Sequence, residues 1–213
     1  MKHFLASHRW APLFGCALLI EGVLLLWGGP LLTSRHGDFA VTLPLAVPAQ
    51  VLPVMLIVAS GYSEHFWLEE NASRRLVLPR LLGFLIGFIP VLLMSLLVSH
   101  IHNTGSTLAW YAPAAGLIGA VGMSLCVAPL FGFRMAGVFS VIPLTSLLIV
   151  DPTTILGYEF WCFLASTETW SNAAVPGLWL ITGLSVFMYA ERLRLGLLAR
   201  RVNFPRMSDQ VPS

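Results

Sequence analysis

The chain has 213 residues, of which 57% are hydrophobic and only 10% are charged, and its mean hydropathy is +0.81. Soluble domains carry about 25% charged residues, so this composition excludes an ordinary soluble enzyme or binding domain. The formal net charge is +2 and no basic face can be identified, so we expect no nucleic-acid partner.

Long uncharged apolar runs predict an all-α membrane protein with a bundle of six transmembrane helices in one domain, 1–213. About 20 apolar residues cross about 30 Å of hydrocarbon as a helix, and the alternating pattern of a β-barrel is absent. The predicted spans are residues 11–32, 41–60, 81–99, 113–133, 137–150 and 175–190. The fifth and sixth runs are the shortest, so we expect their helices to extend into the flanking residues.

The basic residues predict the orientation of these spans. With both termini cytoplasmic, 11 of the 12 Lys and Arg residues fall on the cytoplasmic side, and only Arg35 falls opposite. The 11 residues are Lys2, Arg9, Arg74, Arg75, Arg80, Arg134, Arg192, Arg194, Arg200, Arg201 and Arg206. We therefore expect a multi-pass protein of the bacterial cytoplasmic (inner) membrane, with an arginine-rich tail on anionic lipid.

The first span carries Glu21 near its middle, in GCALLIEGVLLLWGG. A carboxylate at that depth costs at least about 2.5 kcal/mol, so it must face protein or water, or be protonated. Two interpretations stay open: a substrate or proton contact in a cavity, and a neutral carboxyl that holds neighbouring helices together.

The second span contains Pro44, Pro48 and Pro53, with Gln50 between the last two. Each proline removes a backbone donor and bends a helix. This pattern predicts either a deformable helix that lines a substrate path through Glu21, Pro48 and Gln50, or a kinked helix that only packs.

Residues 61–80, between the second and third spans, are unusually charged for this chain. Glu70 and Arg74 are spaced four apart with the acid first, which favours a helical ion pair, and Phe66–Leu68 add an apolar patch. Pro79 predicts a break before the third helix. The segment suits docking to another protein, and the alternative is a helix that anchors the turn on lipid.

Three further sequence features are the small residues of the third and fourth spans, two histidines and an outer segment. Gly83 and Gly87 form a GxxxG pattern in the third span, and three glycines lie on the fourth, Gly116, Gly119 and Gly122; both patterns predict close helix packing. His100 and His102, after the third span, are interpreted as interfacial loop residues, with a haem or metal site as the alternative. Residues 151–174 predict one or two interfacial helices, or an ordered loop, on the outer side.

Motifs for catalysis, metal binding or ATP binding are absent from the sequence. The three cysteines are widely spaced, and the only lysine is Lys2, so no Walker A loop is present. We expect no metal and no cofactor in this chain.

The segment EENASRRLVLPRLL resembles the stretch before the third helix in type-two ABC exporter permeases. Its matching residues are Glu69, Glu70, Ser73, Arg74, Arg75, Leu76, Leu78 and Arg80. The resemblance extends to the topology: six helices, cytoplasmic termini and an outer segment between helices five and six. It implies that 61–80 is a coupling segment that contacts a cytosolic ATP-binding subunit, and that the chain pairs with a second copy or a sister permease.

The resulting hypothesis is a permease subunit of an ABC-type exporter for an amphipathic or hydrophobic substrate such as a peptide, lipid or drug-like molecule. Glu69, Glu70, Arg74, Arg75 and Arg80 would bind the ATPase. Two alternatives remain: a non-transporting accessory or immunity membrane protein that binds a partner, and a membrane-embedded redox or enzyme subunit.

Overall fold

The computed structural model describes residues 10–36, 39–60, 77–102, 111–149 and 174–189, and these residues are mostly helical, as predicted. The elements are α1 (Trp10–Trp27), β1 (Leu31–His36), β2 (Phe39–Pro44), α2 (Ala46–Ala49), α3 (Val51–Ala59), α4 (Val77–His102), α5 (Ala112–Phe131), α6 (Phe133–Ala136), a 3-10 turn (Gly137–Ser140), α7 (Val141–Ile149) and α8 (Ala174–Tyr189). Two of these helices, α4 and α5, are long and apolar enough to cross a membrane. Three further apolar helical stretches, at 11–27, 46–59 and 174–189, are shorter.

A β-hairpin between the first two predicted spans corrects the all-α prediction. Strands β1 and β2 pair antiparallel in a register that runs from Leu31 opposite Pro44 to His36 opposite Phe39. Pro30 cannot continue α1, and the backbone N–H of Leu45 donates to its carbonyl at 2.8 Å. The helix in the first predicted span therefore ends at Trp27 rather than residue 32, and helical structure in the second predicted span begins at Ala46 rather than residue 41.

The second predicted span is broken at Gln50, as its prolines suggest. Pro53 has no N–H to offer the carbonyl of Ala49, four residues earlier, so the ladder is interrupted there. Gln50 instead makes a tighter turn, with its N–H on the carbonyl of Val47 at 3.2 Å. The chain then resumes as α3, and Gln50 is left at the junction of two helical pieces.

Helix α4 is longer than the predicted third span, 81–99. The predicted break at Pro79 is wrong: Pro79 lies in the first turn of α4, where a missing N–H costs no intrahelical bond. The helix also passes through Pro90 and includes both histidines in its last turn, so the expectation that His100 and His102 are loop residues is wrong.

The described part of the region predicted as the fifth span, 137–150, is divided between the 3-10 turn and α7. Helix α5 ends where Gly132 adopts φ 82°, a conformation that glycine reaches without strain, and the Gly132 N–H donates to the Ala128 carbonyl at 2.8 Å. Helix α6, the 3-10 turn and α7 follow, so the single helix expected here is divided.

Helix α5 occupies the centre of the described structure. From Ala112 to Leu125 every residue except Ile118 is buried. At Gly122 the backbone of α5 lies against the backbone of α8 near Trp179 and Leu180, and Gly183 of α8 lies against Gly122 in turn. Glycine on both helices allows this approach, because any side chain there would meet backbone atoms.

An aromatic cluster joins three other helices to this centre. The Phe84 ring lies 6.0 Å from Phe14 of α1, 5.5 Å from Phe88 and 5.7 Å from Phe187 of α8, measured between centroids. Phe84 and Phe88 are among the most completely buried side chains. Burial of such rings supplies much of the packing energy of a small bundle.

The exposed face of α4 is lined by apolar side chains from Leu82 to Ile101. Ile86 is 67% exposed and Leu93 is 60% exposed. The exposed apolar stripe of α4 consists of Leu82, Ile86, Ile89, Leu93, Leu97 and Ile101. The spacing of three and four residues places these side chains on one helical face.

Candidate functional site

Glu21 lies on the face of α1 that points into the protein. Phe14, Ala17 and Leu24 share that face at helical spacing and are buried. The Glu21 side chain has no solvent exposure. Because burial of the apolar neighbours fixes the rotation of α1, the carboxyl is held inside the bundle rather than on its surface.

Gln50 meets Glu21 from the break between α2 and α3. Its Nε2 lies 3.3 Å from Glu21 Oε2 and 3.2 Å from Ser95 Oγ, and it donates to both atoms. Gln50 and Ser95 have no exposure either. These three residues, the Glu21 cluster, join the helices of the first three predicted spans.

A second serine extends this polar group to α5. Ser99 Oγ donates to the Ser95 carbonyl at 2.7 Å and accepts from the Ala114 N–H at 3.2 Å. Ala114 lies in the first turn of α5, where N–H groups have no intrahelical acceptor. Ser99 of α4 therefore supplies a hydrogen-bond acceptor for an N–H in the first turn of the central helix α5.

Three buried atoms have no hydrogen-bond partner among the described residues: Glu21 Oε1, Gln50 Oε1 and Ser124 Oγ. A buried polar group without a partner costs about 1–3 kcal/mol, so such groups are uncommon in folded proteins. Two of the three belong to one cluster and are acceptors. The cluster thus has the capacity to bind a hydrogen-bond donor.

His102 closes the end of α1 rather than serving as a surface histidine. Its Nε2 lies 2.6 Å from the carbonyl oxygen of Leu25, one of the last carbonyls of α1, and its Nδ1 side packs against Gly29. The last four carbonyls of a helix lack intrahelical donors, and an imidazole N–H supplies one here. Within the described ranges no group of three His, Cys, Asp or Glu side chains could hold a metal ion.

The predicted site residues fall into two groups. Glu21 and Gln50, predicted to share a substrate path, are brought into hydrogen-bond contact, and Pro48 is half-buried on α2 two residues from Gln50. The backbone of Arg80 lies in the first turn of α4, so 77–80 is helix rather than connector. The other predicted ATPase-contacting residues, Glu69, Glu70, Arg74 and Arg75, lie outside the described residues, as does nearly all of the predicted outer segment 151–174.

Ser95 and Ser99 are site residues that the sequence reasoning missed. They are spaced four apart in VLLMSLLVS, so they share one face of an otherwise apolar helix. A polar pair at that spacing, facing away from the exposed apolar stripe, is the signal that identifies them.

Comparison of the chain with protein-family models, curated proteins and solved structures finds no match.

Proposed function

We propose that the chain is a multi-pass protein of the bacterial inner membrane. The described residues support this by their distribution: the exposed stripe of α4 is apolar, whereas Glu21, Gln50 and three serines of α4 and α5 are buried. Water-soluble proteins rarely expose long contiguous apolar surface, and intramembrane polar groups face the bundle interior. Six spans with cytoplasmic termini account for the bias of the basic residues.

Within that membrane, the proposed function is that of a permease subunit of an ABC-type exporter. The observation that carries this proposal is the Glu21 cluster, a polar group with unused hydrogen-bonding capacity inside an apolar-surfaced bundle. Intramembrane ionisable residues typically mark a substrate or ion pathway. The substrate would be amphipathic or hydrophobic, and Glu21, Gln50 and the kinked segment at Pro48 would contact it.

The energy source of such an exporter would be a separate cytosolic ATP-binding subunit. The chain has no Walker A loop, and residues 61–80 resemble the coupling segment of type-two exporter permeases. The functional unit would contain two permeases, either two copies of this chain or this chain and a sister subunit.

The test is affinity purification in mild detergent from the native host, followed by mass spectrometry. We expect a cytosolic ATPase to co-purify, and its recovery to fall at least tenfold in the double charge reversal Arg74→Glu, Arg75→Glu. The matched control is Arg200→Glu, Arg201→Glu in the tail, which changes the net charge by the same amount and should leave recovery of the ATPase unchanged. Recovery of no ATPase with the wild-type chain would refute the exporter.

The Glu21 cluster is enclosed within a single chain. This favours a second candidate function, that of a non-transporting accessory membrane protein. Glu21 and Gln50 are both fully buried, so neither side chain reaches a surface at which two permeases would meet. In that case the purification would recover another membrane protein and no ATPase.

A further inference from the structure

The hydrogen bonds of the Glu21 cluster use both N–H groups of the Gln50 amide and leave two acceptors without a donor among the described residues. The Gln50 amide has two N–H groups, which donate to Glu21 Oε2 and Ser95 Oγ. The amide oxygen Oε1 of Gln50 and the second carboxyl oxygen Oε1 of Glu21 have no donor among the described residues. An ionised carboxylate cannot help, because it only accepts hydrogen bonds.

A proton on Glu21 Oε1 would supply the hydrogen-bond donor that Gln50 Oε1 lacks. A carboxylic acid and a primary amide are complementary: the amide N–H donates to one carboxyl oxygen, and the carboxyl O–H donates to the amide oxygen. The first of these bonds is present, from Gln50 Nε2 to Glu21 Oε2. The atoms required for the second bond are the two unpaired ones.

The described residues of helices α1 to α5 place no cation beside Glu21 in place of that proton. The described parts of α1, α2, α3 and α5 contain no Lys, Arg or His, and their ionisable side chains are Glu21 and the cysteines Cys16 and Cys126. On α4, the backbone of Arg80 lies about 22 Å from that of Ser95 along the helix axis, at about 1.5 Å per residue. His100 and His102 are about 8–10 Å beyond Ser95 on the same scale, and His102 is bound to the Leu25 carbonyl.

We propose that Glu21 is a proton-binding site, with the proton on Oε1 donated to Gln50 Oε1. The proton is taken up from water and stays on the carboxyl while α1 is packed against the α2–α3 break. Its release to water would leave an unpaired carboxylate facing an amide oxygen, and the contact between α1 and Gln50 would open. The site rests on the hydrogen bonds within the bundle and does not depend on the exporter proposal.

Infrared difference spectroscopy of the full-length chain in lipid vesicles at neutral pH tests this. We expect the Glu21→Gln variant to lose a carbonyl stretch of a protonated carboxyl that the wild-type chain shows. The control is Glu69→Gln in the predicted coupling segment, which should lose only carboxylate bands. If Glu21→Gln also loses only carboxylate bands, Glu21 is ionised and the proposal is wrong.

A second measurement covers the case in which Glu21→Gln does not assemble. In the wild-type chain with glutamate carboxyls labelled with carbon-13, we expect the protonated-carboxyl band at neutral pH, displaced in Gln50→Leu because its hydrogen-bond partner is lost. Absence of the band from the wild-type chain would overturn the proton site. A band that does not move in Gln50→Leu would overturn the pairing with Gln50.

Discussion

Two buried serines place the same hydroxyl group in different hydrogen-bonding environments. Ser95 Oγ accepts from Gln50, whereas Ser124 Oγ has no partner among the described residues, although neither side chain is exposed. The same chemical group therefore stabilises the fold at one position and carries an unmatched desolvation cost at the other.

We expect Ser95→Ala to destabilise the protein by about 1–2 kcal/mol, because a Gln50 N–H would lose its acceptor in a buried site. The matched control is Ser124→Ala, which should be neutral or slightly stabilising. Thermal unfolding midpoints of the two variants in the same detergent give the comparison. Equal midpoints would mean that the Gln50–Ser95 bond contributes no stability.

At the scale of elements, packing is determined by where backbones approach each other. The crossing of α5 and α8 at Gly122 and Gly183 has no space for a Cβ atom, whereas Gly22 of α1 has no atom within 4 Å of that position. Glycine at the first site is required by the neighbouring helix, and at the second it only weakens its own helix.

We expect Gly122→Ala to destabilise the protein by about 1–3 kcal/mol, since the methyl group would meet α8 backbone that cannot rotate away. Gly22→Ala, the matched control, should be neutral or stabilising by up to about 1 kcal/mol through helix propensity. Chemical denaturation of both variants, followed by circular dichroism, separates the two effects. A tolerated Gly122→Ala would contradict the close crossing.

At the scale of the whole molecule, the described residues combine an exposed apolar helix face with a partly polar interior. The exposed stripe of α4 continues for five helical turns, from Leu82 to Ile101, while the buried face of the same helix carries Ser95 and Ser99. This distribution is stable where hydrocarbon surrounds the helix, because lipid does not compete for the buried hydrogen bonds.

We expect Leu93→Lys, in the middle of the stripe, to reduce the fraction of the chain that resists alkaline extraction from membranes. Insertion scales assign about 2.5–3.5 kcal/mol to a lysine at the centre of a span. Ile101→Lys near the helix end is the matched control and should be tolerated, because a terminal lysine reaches the interface. Equal retention of both variants would argue against α4 as a span.

Several parts of the fold follow from local sequence. Hydropathy and length identify the helices, and Pro30, Pro53 and Gly132 mark interruptions, because these effects act within a few residues. The sequence also contains a hairpin signal, because Gly-Asp at 37–38 is a dipeptide typical of two-residue connections between strands. The second strand was not predicted because its residues belong to the apolar run 41–60. Glu21 stands out because an acid in an apolar helix must find a partner.

Local sequence therefore accounts for a helical chain with long apolar segments and one internal acid that needs a partner. Three contacts are known only from the packed fold: the partner of Glu21 is Gln50, 29 residues away, Ser95 also accepts from the Gln50 amide, and α5 crosses α8 at two glycines. Helix formation depends on neighbours in the chain, whereas these contacts depend on the rotation and crossing of helices. Those are determined when all apolar faces and buried polar groups are packed together.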